Sequence, residues 1–137
     1  MTRMIEKRLE FTASPERVWK AITDPAEIAQ WFGDGAKLDL RPGGTGVFGW
    51  ENHGDFAVRV EQVEPPHRLA WRWAQKPGVA IDEGVSTLVE WVLTRREDGG
   101  TILDLRESGF VEDEHCAQNT GGWEAELAEL QGLLSST

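Results

Sequence analysis

Cysteine occurs once in the 137 residues, at Cys116. No intramolecular disulfide can form, which fits a reducing compartment. No run approaches the roughly 18 apolar residues of a membrane-spanning helix. The N-terminal segment MTRMIEKRLEF alternates charged and apolar residues, so it lacks the continuous apolar core of a secretory leader. Cytoplasmic residence is therefore expected. Lysine and arginine are missing after Arg106, while Glu107, Glu112, Asp113, Glu114, Glu124, Glu126 and Glu129 all lie in that last stretch. The formal net charge is −10. So acidic a chain repels phosphate backbones and anionic lipid, which argues against nucleic acid and membrane surfaces as partners. The acidic tail reads either as a solvated helix face or as a docking surface for a basic partner. Tyrosine is absent altogether, whereas tryptophan occurs seven times.

What is present has the make-up of a folded domain. Hydrophobic residues are 39% and charged residues 28%, a balance that excludes disorder. The length suits one domain over residues 1–137, and no repeat or linker interrupts it. A first strand is expected over Met4–Ala13. Ser14-Pro15-Glu16 has the chemistry of a helix start, and Thr23-Asp24-Pro25 breaks that helix and begins another over Pro25–Gln30. Strand-like runs follow at Ala36–Leu40, Thr45–Trp50, Gly54–Val63, Arg68–Ala74, Ser86–Arg95 and Thr101–Gly109, joined by turns such as Arg41–Gly44 and Glu97–Gly100. Connections this short make the sheet antiparallel.

The last 25 residues form the only long amphipathic helix. At 100 degrees per residue Leu127, Leu130 and Leu134 fall on the same stripe as Trp123. Continued backwards, the stripe meets Asn119 and Cys116 and becomes partly polar. One helix cannot bury its stripe alone, so it must lie on the sheet. A sheet curled around a helix with one polar end implies a lined interior.

Phe11-Thr12-Ala13-Ser14-Pro15-Glu16-Arg17-Val18-Trp19, Thr23-Asp24-Pro25 with Trp31-Phe32, Val63 to Leu69 ending in Trp73, Glu107-Ser108-Gly109-Phe110, and Gly121-Gly122-Trp123 occur in that order. Together they resemble the SRPBCC, or START/Bet v 1-like, superfamily, and within it the branch named after the C-terminal domain of the activator of Hsp90 ATPase. The resemblance implies an α+β helix-grip fold. Six or seven antiparallel strands would curve around a long C-terminal helix, with two short helices after strand one and a cavity between sheet and helix. In related families that cavity holds lipids, sterols or polyketides, and some relatives are cyclases, aromatases or dehydratases. The eukaryotic co-chaperone carries a further N-terminal domain, so an Hsp90-type chaperone is not the expected partner.

The candidate ligand-binding residues are aromatic. Alternation turns Trp50, Phe56, Trp71, Trp73, Trp91 and Trp123 inward, and Trp31 and Phe32 join them from the second short helix. Each ring could equally be plain core, and the rings together could fill the interior themselves. So many large rings seldom pack without gaps. Glu107 shares a strand face with Leu103 and Leu105 and so points inward. Unpaired, it would be a candidate acid–base group; alternatively it is hydrated or paired with Arg106 or Arg72 at the open end of the sheet. Asn119 is placed to orient a ligand or to hold Glu107. On this reading Glu107→Gln would alter ligand preference with little loss of stability, and the loss of Trp91 would mainly weaken the fold.

Cys116 reads as a small hydrophobe, and Glu51, His53 and Asp55 make only a weak zinc pattern. The glycines from Gly33 to Gly49 precede neither a Lys-Ser or Lys-Thr pair nor a helix, so they are turns and bends rather than a phosphate loop. Gly121-Gly122, costly inside a helix, suggests close contact with the sheet or a local kink beside the cavity. No metal or organic cofactor is called for. The leading expectation is a receptor for a small hydrophobic or aromatic molecule, with a cyclase-like enzyme or an interaction module as alternatives. A homodimer is left open, since oligomers are commonly twofold.

Overall fold

The computed structural model describes residues 4–33, 35–50 and 54–135. Seven antiparallel strands form one sheet: β1 (Ile5–Phe11), β2 (Gly35–Leu38), β3 (Thr45–Trp50), β4 (Gly54–Glu64), β5 (Arg68–Ala74), β6 (Ser86–Arg95) and β7 (Thr101–Ser108). Their order is β1-β7-β6-β5-β4-β3-β2. Strands β2 to β7 thus meander by hairpins, and β1 returns to pair with the last of them. Between β1 and β2 stand two short helices, α1 (Pro15–Thr23) and α2 (Pro25–Trp31), and the chain ends in α3 (Asp113–Ser135). This is the helix-grip arrangement. No helix among the described residues is long and apolar enough to cross a membrane.

Local chemistry sets the helix boundaries. The Ser14 side chain accepts from the Arg17 amide at 3.2 Å, and Pro15 opens α1, where its missing N–H costs nothing. Asp24 serves two helices. Its backbone N–H closes α1 on the Lys20 carbonyl, and its carboxylate accepts from the Ala26 amide to open α2. One residue therefore fixes the elbow that carries Trp31 and Phe32 over the sheet. The loop after β5 contains a single 3-10 turn at Ile81–Glu83.

Alternation puts the large side chains on the concave face. Leu69, Trp71 and Trp73 of β5, Val89, Trp91 and Leu93 of β6, and Leu103 and Leu105 of β7 are all buried. Trp123, Leu127, Leu130 and Leu134 of α3 close over them. No residue of the first ten in α3, Asp113–Gly122, is buried. The helix is thus anchored by its C-terminal half, and its N-terminal half lies across the mouth of the sheet. Burial of a large apolar side chain contributes about 1.5–3 kcal/mol, so the difference between the two halves is large. Glu51, His53 and the last two residues fall outside the described set. Among the described residues no group of three His, Cys, Asp or Glu is placed to hold a metal.

Candidate functional site

Glu107 is fully buried on the concave face of β7. It stands opposite Val89 of β6 and Ile5 of β1. Sequence alternation predicted its inward direction, but neither arginine pairs with it. Four neutral donors surround it instead. Trp73 Nε1 donates to Oε2 at 2.8 Å and Trp123 Nε1 donates to Oε1 at 2.7 Å. The Thr87 hydroxyl donates to Oε2 at 2.5 Å. Asn119 Nδ2 lies across both oxygens at 3.3 and 3.2 Å. Gln75 completes the ring, donating to Thr87 Oγ1 at 2.9 Å and accepting from Asn119 Nδ2 at 3.4 Å.

A carboxylate has about four lone-pair positions, and here protein donors occupy them. This arrangement revises the sequence-level view that Glu107→Gln would be mild. A glutamine amide would turn an NH₂ group toward one or two of these donors. Buried donors left facing another donor are costly.

Beside this cluster lies a cavity of about 380 Å³ between β3–β5 and the middle of α3. Phe32, Trp50, Phe56, Trp73 and Trp123 supply its rings. Gln75, Gln118, Asn119 and Glu126 supply its polar groups, and Gly122 borders it on the helix side. Phe32 is the hub: it stacks on Trp123 with 5.1 Å between centroids and meets Trp50 at 4.9 Å and Trp73 at 5.4 Å. At the rim Trp50 Nε1 reaches Glu126 Oε1 at 3.5 Å.

Six of the sequence-selected residues therefore line one space: Phe32, Trp50, Phe56, Trp73, Asn119 and Trp123. Trp31, Trp71 and Trp91 belong to the closed core behind Phe32, and Glu107 sits behind Asn119 rather than in the lining. Trp31 Nε1 donates to the Ala21 carbonyl at 2.8 Å. The indole N–H groups of Trp71 and Trp91 have no hydrogen-bond acceptor among the described residues. Trp91 stands nearly edge-on to Trp31 and Trp123, at interplanar angles of 85° and 81°, so aromatic packing rather than hydrogen bonding holds it. Cys116 is half-buried against the core, as a small hydrophobe would be.

Sequence reading missed Thr87, Gln75, Gln118 and Glu126. Thr87 shares the inner face of β6 with Trp91, which was a usable signal. Gln75 lies just past the end of β5, where alternation stops being informative. The glycines of α3 correct another expectation. A Cβ on Gly121 or Gly122 would meet nothing within 4 Å, so close contact with the sheet is not their reason. Gly122 borders open space at the cavity.

A second depression, on the outer sheet face, is rimmed by charged side chains including Arg8 and Asp104, which pair at 2.7 Å. It has no aromatic lining, and the concave site is the stronger candidate.

Residues 12–135 match the family described as activator of Hsp90 ATPase homolog 1-like protein. The chain belongs to that family. With the fold, this places it in the SRPBCC superfamily. Solved structures of relatives agree. CalU16 from Micromonospora echinospora is 30% identical over 96% of this chain and 76% of its own, with a TM-score of 0.77. DynU16, a protein in the dynemicin biosynthetic locus, is 28% identical over 98% of this chain, with a TM-score of 0.84. This chain spans about half of DynU16, 48% of its length. MLL2253 from Mesorhizobium loti is 23% identical over 98% of both chains, with a TM-score of 0.86, a likeness of fold. No curated protein matches the chain.

Proposed function

We propose that this family member, acting as one domain over residues 1–137, binds a small hydrophobic or aromatic molecule non-covalently in the cavity between sheet and α3. The supporting observation is the cavity itself, about 380 Å³ with five aromatic rings and four polar side chains around it. Ligand sites have this constitution: apolar walls with a few placed polar groups. Removing apolar ligand surface from water, at roughly 25 cal/mol per Å², supplies the attraction. The carboxamides of Gln75 and Gln118 orient the guest.

The four donors on Glu107 favour a binding role over proton transfer, because the carboxylate already accepts from Trp73, Thr87, Asn119 and Trp123. No comparable observation favours an interaction module working through the acidic face of α3, and Glu124 on that helix already pairs with Lys7 at 3.2 Å. DynU16's place in a biosynthetic locus fits traffic in small molecules.

Native mass spectrometry of the protein purified from its own host, followed by organic extraction, tests the proposal. A small molecule at one per chain is expected, and Trp50→Ala should lose it while remaining folded. Protein that leaves the host empty and takes up no aromatic compound in solution would refute the receptor reading.

A further inference from the structure

The donors around Glu107 are unequal. The two indoles and the Thr87 hydroxyl bond it at 2.5–2.8 Å from rigid positions on the sheet and in the buried part of α3. Asn119 is different in every respect. Its contacts are 3.2–3.4 Å and are shared among both carboxylate oxygens and Gln75. It is half-buried, it lines the cavity, and it stands on the half of α3 that buries no residue. Gly121 and Gly122 follow after Thr120, with open space where their side chains would be. Glycine loosens a helix interior at about 1 kcal/mol per residue. The fourth donor is thus the weakest, the most accessible and the least anchored.

We propose that the ligand replaces it. A guest seated among Trp50, Phe56, Trp73 and Trp123 can present an N–H or O–H group to Glu107 where Asn119 now reaches. Trp73, Thr87 and Trp123 keep their bonds and hold the carboxylate still. The pocket therefore selects aromatic compounds that carry a hydrogen-bond donor, such as phenols and aromatic amines, over ring systems of equal size without one. A donor bonded to a buried carboxylate is stronger than one bonded to a neutral acceptor. An acceptor-only guest either leaves Asn119 in place or leaves the carboxylate a bond short. The selection rests on the receptor reading above and narrows its ligand class.

Two probes of nearly the same shape test it: 2-naphthol and its methyl ether, 2-methoxynaphthalene, titrated calorimetrically into the full chain at neutral pH. The naphthol should bind roughly tenfold more tightly. Asn119→Ala removes the competing donor without touching the core, so it should widen that ratio. In nitrogen-15 spectra the Asn119 side-chain amide, assigned by its loss in that variant, should shift with the naphthol and stay in place with the ether. Equal affinities for the two probes would overturn the selection and leave a plain apolar receptor. Loss of naphthol binding in Asn119→Ala would overturn it too, since Asn119 would then be the ligand's own partner. Failure of both probes to bind the unaltered chain would remove the receptor reading, and the selection with it.

Discussion

Replacing Gly122 with alanine should stabilise the protein and weaken ligand binding. Gly122 lies in the interior of α3, where alanine is preferred by about 1 kcal/mol. A Cβ built there meets no atom within 4 Å, so no steric cost offsets the gain. For a domain of this size about 1 kcal/mol corresponds to a rise of roughly 3–5 °C in Tm. The new methyl group would project at the cavity edge, beside Trp123 and Asn119. A guest seated against this edge would meet the methyl in space now open to it, so 2-naphthol affinity should fall about tenfold. Gly121→Ala is the control. Gly121 is exposed, equally unobstructed and outside the cavity lining. It should give the same thermal gain with unchanged binding. Melting by circular dichroism and titration by tryptophan fluorescence measure the two effects. A destabilised Gly122→Ala, or one that binds 2-naphthol as well as the parent chain, would refute the placement of the opening along this face of α3.

Glu107→Gln should lower the unfolding free energy by about 1–3 kcal/mol, because an amide would face donors that now converge on a carboxylate; a shifted urea midpoint with unchanged slope is the expected record. Trp91→Ala should cost about 3–5 kcal/mol by leaving a void among Trp31, Trp71 and Trp123, readable in the same denaturation series. Arg95 donates to the exposed Glu16 carboxylate at 2.6 Å, and this bond, with a second from Glu16's own backbone amide, holds the carboxyl pKa below the ordinary 4.5. Because the folded pKa is the depressed one, this contact adds stability above pH 4.5 and loses it progressively as the pH falls through the folded value. The acid limb of a stability–pH curve should accordingly be shallower in Glu16→Gln.

The parts of this protein that depend on neighbours in sequence were legible early. Ser14, Pro15 and Asp24 announce the helix elbow by local chemistry: the structure places the Ser14 cap and Pro15 where they were expected, and the break at Asp24 turns out to be a shared cap. Period-two alternation put Trp71, Trp73, Trp91 and Glu107 on one face, and the 3.6-residue period put Trp123, Leu127, Leu130 and Leu134 on one stripe. Boundaries shifted by a residue or two where strands fray: β1 ends at Phe11 rather than Ala13, and β2 spans Gly35–Leu38 rather than Ala36–Leu40.

Periodicity gives a direction, not a neighbour. It could say that Glu107 faces inward, but not that Trp73 and Thr87, 34 and 20 residues away, would meet its carboxylate. That convergence depends on strand register, on the curvature of the sheet and on the depth at which α3 docks. The same three quantities divide the rings into those that fill the core and those that border a cavity, and they leave Gly122 beside empty space. Sequence alone determined the elements, their order and their apolar faces, because those follow from steric and solvation rules acting over a few residues. Only the tertiary structure decided which inward groups touch and where room remains, because contact and vacancy are set by distances between residues far apart in the chain.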